Sequence, residues 1–190
     1  MTPIKLSSDL QRREVIAHFL SLPKEDLRLR FGYTPTDTII EKYINDSWKR
    51  PHDRWYGMYS ADRDGVVATL HIAQMDNETA EFGFTVSNDL RRRGNGDALF
   101  KRGVAWAKAR GLKRLFMHCL SENVAIQRIA KNNNMHVVRM IEGEAEADLA
   151  LPYDPTAIVN HILLENIALY DMMLVNQLKF FNNIMLRKTL

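Results

Sequence analysis

EFGFTVSNDLRRRGNGDALFKRGVAWA, running from Glu81 to Ala107, decides how the chain is read. It opens on an apolar, strand-like run, Glu81-Phe82-Gly83-Phe84-Thr85-Val86. It turns through Arg91-Arg92-Arg93-Gly94-Asn95-Gly96 and continues as a helical run from Asp97 to Ala107. A strand, a glycine-containing turn and a helix make a phosphate site. The N–H groups of a first helical turn have no internal partners, and the helix dipole adds partial positive charge there. Gly94 and Gly96 carry no Cβ, so a bulky anion can approach the backbone closely. Arg91, Arg92 and Arg93 add full charges and fork-shaped donors that match phosphate oxygens. The sequence predicts a pyrophosphate cradle over Arg91–Asp97.

Three glycine loops compete for that description. A P-loop needs Gly, four residues and then Gly-Lys-Ser/Thr, and no such run exists. A dinucleotide fingerprint needs a third glycine where Leu99 stands. The remaining pattern is Arg/Gln-x-x-Gly-x-Gly/Ala, met here by Arg91, Gly94 and Gly96. It resembles the acyl-CoA loop of the GNAT superfamily of N-acetyltransferases. The following residues support the resemblance. Leu115 to Leu120 supply an apolar strand, Asn123 leads a helix with Ile126 and Ile129 on its apolar face, and Met135 takes the final apolar position. Asn134 stands where the family usually has Gly, a mild departure because Asn tolerates positive φ. The resemblance covers roughly residues 55–151, is weak over the first fifty and absent over the last forty.

The resemblance implies an α/β (α+β) fold, a mixed central sheet flanked by helices, and acetyl-CoA as co-substrate. It implies that the strand before the loop binds the pantetheine arm and the thioester carbonyl with its backbone, through Phe84, Thr85 and Val86. The amide of Phe84 is the candidate carbonyl contact, since a donor aimed at developing oxyanion charge is often the largest catalytic term. Arg91, Arg92, Arg93, Gly94, Asn95, Gly96 and Asp97 would hold the diphosphate, with Asn123 and Ile126 beside the arm. Asn123 also reads as a helix cap, a compatible role. Glu81 is the candidate general base. Its place before Arg91, followed by Phe82, resembles the catalytic domains of bacterial protein-lysine acetyltransferases. Strand alternation puts Glu81 and Gly83 on one face and Phe82 and Phe84 on the other. The acid Tyr of many small-molecule GNAT enzymes falls on Ala130 and is missing. The acceptor implied is a primary amine, a protein lysine first, with a polyamine or amino sugar as the alternative. A non-catalytic acyl-CoA-binding module is a further alternative, and nucleic-acid binding through Arg91–Arg93, Arg110, Lys113 and Arg114 is disfavoured.

Apolar and charged fractions are ordinary for a soluble protein. The chain has 190 residues, enough for one domain and an appendage, and its 26 basic residues nearly balance 23 acidic ones, for a net charge of +3. The single cysteine, Cys119, excludes an internal disulfide and suits a reducing compartment, so a cytoplasmic protein is expected. It falls in a predicted buried strand and reads as an inert core thiol. No secretory leader opens the sequence. The six histidines are scattered, and no metal site is expected.

Along the chain, Ile4–Leu6 reads as a strand and Ser7 or Ser8 as the cap of a helix to about Leu20, interrupted by Pro23. Thr36 or Asp37 caps a second helix through about Trp48. Trp55–Tyr59 and Val66–Met75 are strands around the turn Asp62–Gly65, and Met135–Ile141 is another, linked through Glu142, Gly143 and Glu144 to the last. Pro152 closes the domain, giving a transferase domain over 1–153 and a C-terminal amphipathic helix within 154–190. From 156 to 187, Val159, Ile162, Leu163, Ile167, Tyr170, Met173, Leu174, Phe180, Phe181, Ile184 and Met185 share a broad apolar face. That stripe is expected to pack on its own domain or on a second copy in a homodimer, with membrane-surface binding as a lesser alternative. Glu165, Asp171, Lys179 and Arg187 argue against a membrane span.

Overall fold

The computed structural model describes residues 1–139 and 143–188. The chain runs β1 (Ile4–Leu6), α1 (Asp9–Leu20), α2 (Lys24–Phe31), α3 (Asp37–Lys49), β2 (Arg54–Tyr59), β3 (Val66–Gln74), β4 (Thr79–Val86), α4 (Asn95–Ala109), β5 (Arg114–Leu120), α5 (Val124–Asn132), β6 (His136–Arg139), β7 (Glu144–Ala150) and α6 (Ala157–Lys188). The helix starts follow local chemistry. Ser8 closes a capping box with Gln11, and Thr36 caps α3 by accepting from the Ile39 N–H. Such caps stabilise a helix by about 1 kcal/mol each. Helix α2 is the element the sequence reading omitted. Pro23 does not merely interrupt α1 but occupies the N-cap of α2, and Gly32, with φ +80°, ends it. Its sequence, KEDLRLRF, buries only Leu27, so no apolar period marks it.

The seven strands form one sheet in the order β1-β2-β3-β4-β5-β7-β6. All neighbours are antiparallel except β4 and β5. Their parallel pairing covers only Thr79↔Arg114, Ala80↔Leu115 and Glu81↔Phe116. Beyond Glu81 the two strands diverge, and the gap between them is the feature that makes a site. One core lies between the sheet and α4, where Phe82, Phe84, Leu70, Ile72, Phe100 and Trp106 are buried. The second lies under α1 and α3, with Val15, Phe19, Ile40, Ile44 and Trp55. Burying each such side chain is worth roughly 1.5–3 kcal/mol. Phe84 stacks on Phe100 at 6.4 Å and Phe82 meets it edge-on at 5.9 Å, which pins the diverging half of β4 against α4.

Two expectations change. The apolar stripe of α6 does not pack on its own domain. Val159, Ile162, Leu163, Ile167, Tyr170, Met173, Leu174, Phe180, Phe181 and Ile184 are all exposed, and the side chain of Met185 lies outside the described part. The helix instead meets α4 and β1 along a narrow seam containing Ala157 and Ala168, both buried. The reason is chemical: the seam carries Glu165, which pairs with the buried Arg102 at 2.6 Å, and polar partners turn the helix so that its apolar residues face out. Cys119 is the second change. It is half-buried rather than a core residue, because it sits in the half of β5 that has parted from β4. Residues 140 and 141 of the expected strand, and Glu142, lie outside the described residues.

Candidate active site

The backbone of β4 sets the site. Its odd-numbered residues bond β3: Ser87 N–H reaches Val67 O, and Met75 N–H reaches Thr79 O, at either end of the register. A strand alternates, so Phe82, Phe84 and Val86 turn their N–H and C=O groups the other way, toward β5. With β5 gone beyond Phe116, the Phe84 N–H and C=O face open space. That space is a cavity of about 430 Å³. Phe82 to Val86 form one wall. The others come from the turn and start of α4, from His118 and Cys119 on β5, from Asn123 and α5, and from Asp26, Leu29 and Arg30 on α2.

At the mouth, Gly94 is the N-cap of α4 with φ +79°. A Cβ there would meet nothing within 4 Å, so the positive φ, not the space, asks for glycine. At Gly96 a Cβ would lie 2.5 Å from Ile129 Cδ1. Its missing side chain therefore also makes room for α5. Asn95, Gly96 and Asp97 line the cavity, and the first intrahelical bond of α4 is Ala98 N–H to Gly94 O. Their own N–H groups are thus the orphan donors of a helix start.

The side chains expected to bind cofactor divide. Arg91 and Arg92 line the cavity, and Arg93 is exposed outside its lining. Arg91 pairs with Asp26 at 2.5 Å and donates through Nε to the Val86 carbonyl at 3.1 Å. Its side chain thus ties the loop to α2 and caps the open strand. Arg92 sits in the left-handed region at φ +59°, a cost on the order of 1 kcal/mol. Asn95 donates to the Leu90 carbonyl and closes the turn, and Asp97 accepts from Asn133. The Thr85 hydroxyl is taken up by His18 at 2.9 Å and Thr69 at 2.6 Å, so its side chain serves the fold. Asn123 caps α5 through Ile126 N–H and also donates to the Leu29 carbonyl, which spends both ends of its amide. Ile126 lines the cavity and packs on the core. Asn134 adopts φ +58°, the positive φ that Asn tolerates.

Glu81 stands at the edge of the cavity, outside its lining. Its Oε1 is 3.6 Å from His118 Nδ1, and His118 Nε2 is 2.8 Å from Glu146. His118 lines the cavity and was not picked out by sequence; nothing in its local pattern marks it, since its neighbours Glu81 and Glu146 come from other strands. Burial pushes the Cys119 thiol up, away from a reactive thiolate. Four residues behind Gly83 also escaped notice: Arg30, Tyr43, His71 and Asp53 form a hydrogen-bonded chain that runs from half-buried Arg30 and Tyr43 to buried His71 and Asp53.

A sheet parted at its centre, an open backbone amide on one lip and a helix start at the mouth define an acyltransferase that takes its acyl group from a phosphate-bearing carrier. The chain belongs to the acetyltransferase (GNAT) family, whose sequence pattern matches residues 18–133. Solved structures agree on the fold. The GNAT domain of PAT from S. lividans superposes with a TM-score of 0.68 at 17% identity, covering 78% of this chain and 89% of that one. Spermidine N-acetyltransferase from Vibrio cholerae, solved with CoA and spermine, gives 0.62 at 12%, covering 78% and 94%. Phosphinothricin acetyltransferase from Sinorhizobium meliloti, solved with AcCoA, gives 0.61 at 12%, covering 80% and 89%. Among curated proteins none matches.

Proposed function

We propose that this protein transfers the acetyl group of acetyl-CoA to a primary amine by direct attack, with Glu81 as general base and a protein lysine as acceptor. The observation that carries the reading is the open edge of β4. Phe84 presents an unpaired backbone N–H to a cavity that ends at the start of α4. A thioester carbonyl accepting that N–H would be polarised, and a diphosphate would meet the orphan N–H groups of Asn95, Gly96 and Asp97. The amine, stripped of its extra proton by the Glu81 carboxylate, attacks the carbonyl carbon. A C–N bond forms, the C–S bond breaks, and sulfur leaves with the electron pair. The proton then lost from nitrogen ends on the sulfur.

The lysine acceptor rests on the Glu81-Phe82 pair and on Ala130 where a Tyr would stand. Glu81 and Glu146, on either side of His118, give the acceptor side a negative rim that suits an ammonium of either kind. A polyamine or amino sugar is therefore the alternative. Nucleic acid is a poor fit, because Arg91, Lys113 and Arg114 already face carboxylates. The lone cysteine supports a cytoplasmic setting.

The test is Glu81→Gln. CoA affinity by calorimetry should hold, while turnover on the best of a lysine peptide, spermidine and glucosamine falls about a hundredfold to ten-thousandfold. Near-normal turnover at every pH would place the base elsewhere.

We further infer that α6 binds a second copy of the chain. By length and composition Ala157–Phe181 is apolar enough to cross a membrane. Yet its charges are tied to the domain: Glu165 to Arg102, Asp171 to Thr2, and Lys179 to the Arg63 carbonyl and Asp64. That lays the helix along the protein. With Lys179 engaged, no Lys or Arg of 157–181 remains on the outer face to meet lipid headgroups.

A further inference from the structure

The geometry points to Arg30 as a further catalytic residue: its guanidinium stabilises the negative charge that develops on the thioester carbonyl oxygen at the Phe84 amide, and Tyr43, His71 and Asp53 hold it in place. The inference rests on the reading of the β4 edge as the thioester site.

Arg30 leaves α2 and lies directly over Gly83. A Cβ at that position would sit 1.9 Å from Arg30 Nη2, so glycine is what lets the guanidinium settle on the strand one residue from Phe84. Arg30, Gly83 and Phe84 all line the cavity. Arg30 Nη2 donates to the Tyr43 hydroxyl at 2.8 Å, and that hydroxyl donates to His71 Nδ1 at 2.7 Å. His71 Nε2 donates in turn to Asp53 at 3.0 Å. Every donor points the same way, from the cavity back to Asp53, which fixes His71 as the neutral Nε2–H tautomer. Trp55 stacks on the imidazole at 4.5 Å. Burial lowers the His71 pKa and raises that of Tyr43, so both middle members stay neutral. The chain thus ends in a fixed cation at the cavity and a carboxylate remote from it. Aligned hydrogen bonds of this kind hold a group in one orientation more firmly than any single contact.

What the chain leaves open is informative. Arg30 Nε is buried and has no acceptor among the described residues. A guanidinium cannot neutralise itself by losing a proton, and no carboxylate among the described residues pairs with Arg30, so its full charge stays at the cavity wall. The open Phe84 amide is one residue further along the strand from Gly83, on which the guanidinium rests. An acyl oxygen polarised by Phe84 therefore lies in the field of that cation. No bond to Arg30 forms or breaks; C–N bond formation and C–S cleavage run as above, with the charge on oxygen lowered in energy.

Infrared spectra of carbon-13-labelled acetyl-CoA test this without an acceptor. In the wild type the bound carbonyl stretch should lie below that of free acetyl-CoA. In Arg30→Met most of that shift should vanish while CoA affinity holds, and turnover on the best amine should fall about a hundredfold or more. Tyr43→Phe should lower turnover less, and its effect should disappear in the Arg30→Met background, as expected of a positioning residue. Should Arg30→Met fail to fold, Arg30→Lys, with charge but no fork, should show a partial loss of the shift. An unchanged stretch in a folded Arg30 variant, or equal Tyr43→Phe losses in both backgrounds, overturns the role. Absence of any shift in the wild type would overturn the β4 reading itself, a distinct failure.

Discussion

His18 shows how one side chain can link the site to solution conditions. It sits on α1, buried, with Nε2 2.9 Å from the hydroxyl of Thr85 on the cavity strand. Burial lowers its pKa from 6.5 to about 4. The folded protein therefore keeps it neutral, whereas the unfolded chain protonates it near 6.5. Between those values the unfolded state binds more protons, so stability rises with pH. The contribution is complete above 6.5 and is lost as pH falls toward about 4, a loss on the order of 3 kcal/mol. His71, lowered by its own burial, acts in the same direction. Thermal melts across that window should show a falling midpoint, and His18→Gln should flatten the slope. Equal slopes in both proteins would remove His18 from the account. At this scale the sequence was half legible. Phe84 and the start of α4 stand in one contiguous stretch, where strand alternation and helix ends operate locally. Glu81 was legible as a strand residue, but its neighbour His118 was not. Arg30, Tyr43, His71 and Asp53 were illegible because they come from four segments and gain meaning only when α2 folds over β4.

Among the elements, those with a strong period or a cap were readable: α1, α3, α4, α5 and the strands through Leu120. Helix α2 was missed because it is short, charged and held from outside. Asp26 pairs with Arg91 and Arg28 with Glu122, at 2.5 and 2.6 Å, so its neighbours rather than its own pattern place it. For α6 the helix was readable and its orientation was not. An apolar stripe argues for burial, but one buried cation decided otherwise. Arg102 is 3% exposed, lies 5.1 Å over the Tyr56 ring, and meets Glu165 at 2.6 Å, while the Tyr56 hydroxyl donates to the same carboxylate at 3.2 Å. Removing one member of such a pair strands a buried charge. Glu165→Leu should destabilise the protein by about 3–5 kcal/mol, and Glu165→Leu with Arg102→Met should recover most of that. Denaturant titration of the single and double variants checks it. A single variant as stable as the wild type would mean that α6 is held by other contacts.

For the whole molecule the exposed face of α6 sets the largest energetic demand. Ten large apolar side chains of the stripe stand in water, from Val159 at 67% exposure to Ile184 at 36%. Covering even one is worth roughly 1.5–3 kcal/mol, and contiguous apolar patches of this extent are rare on monomers. A second copy would cover them best if the two helices met about a two-fold axis, so that each stripe buried the other. The domain's own seam, with Glu165, Asp171 and Lys179, would be undisturbed, because it uses the opposite side of the helix. Light scattering should then give twice the chain mass. Replacing Leu163, Tyr170 and Leu174 together by Gln should give a folded, active monomer, since none of the three touches the cleft between β4 and β5. A wild-type protein that is monomeric at all concentrations would reject the two-fold arrangement. Recovery of the protein on vesicles of neutral lipid, abolished by the same triple substitution, would give the stripe to a bilayer instead.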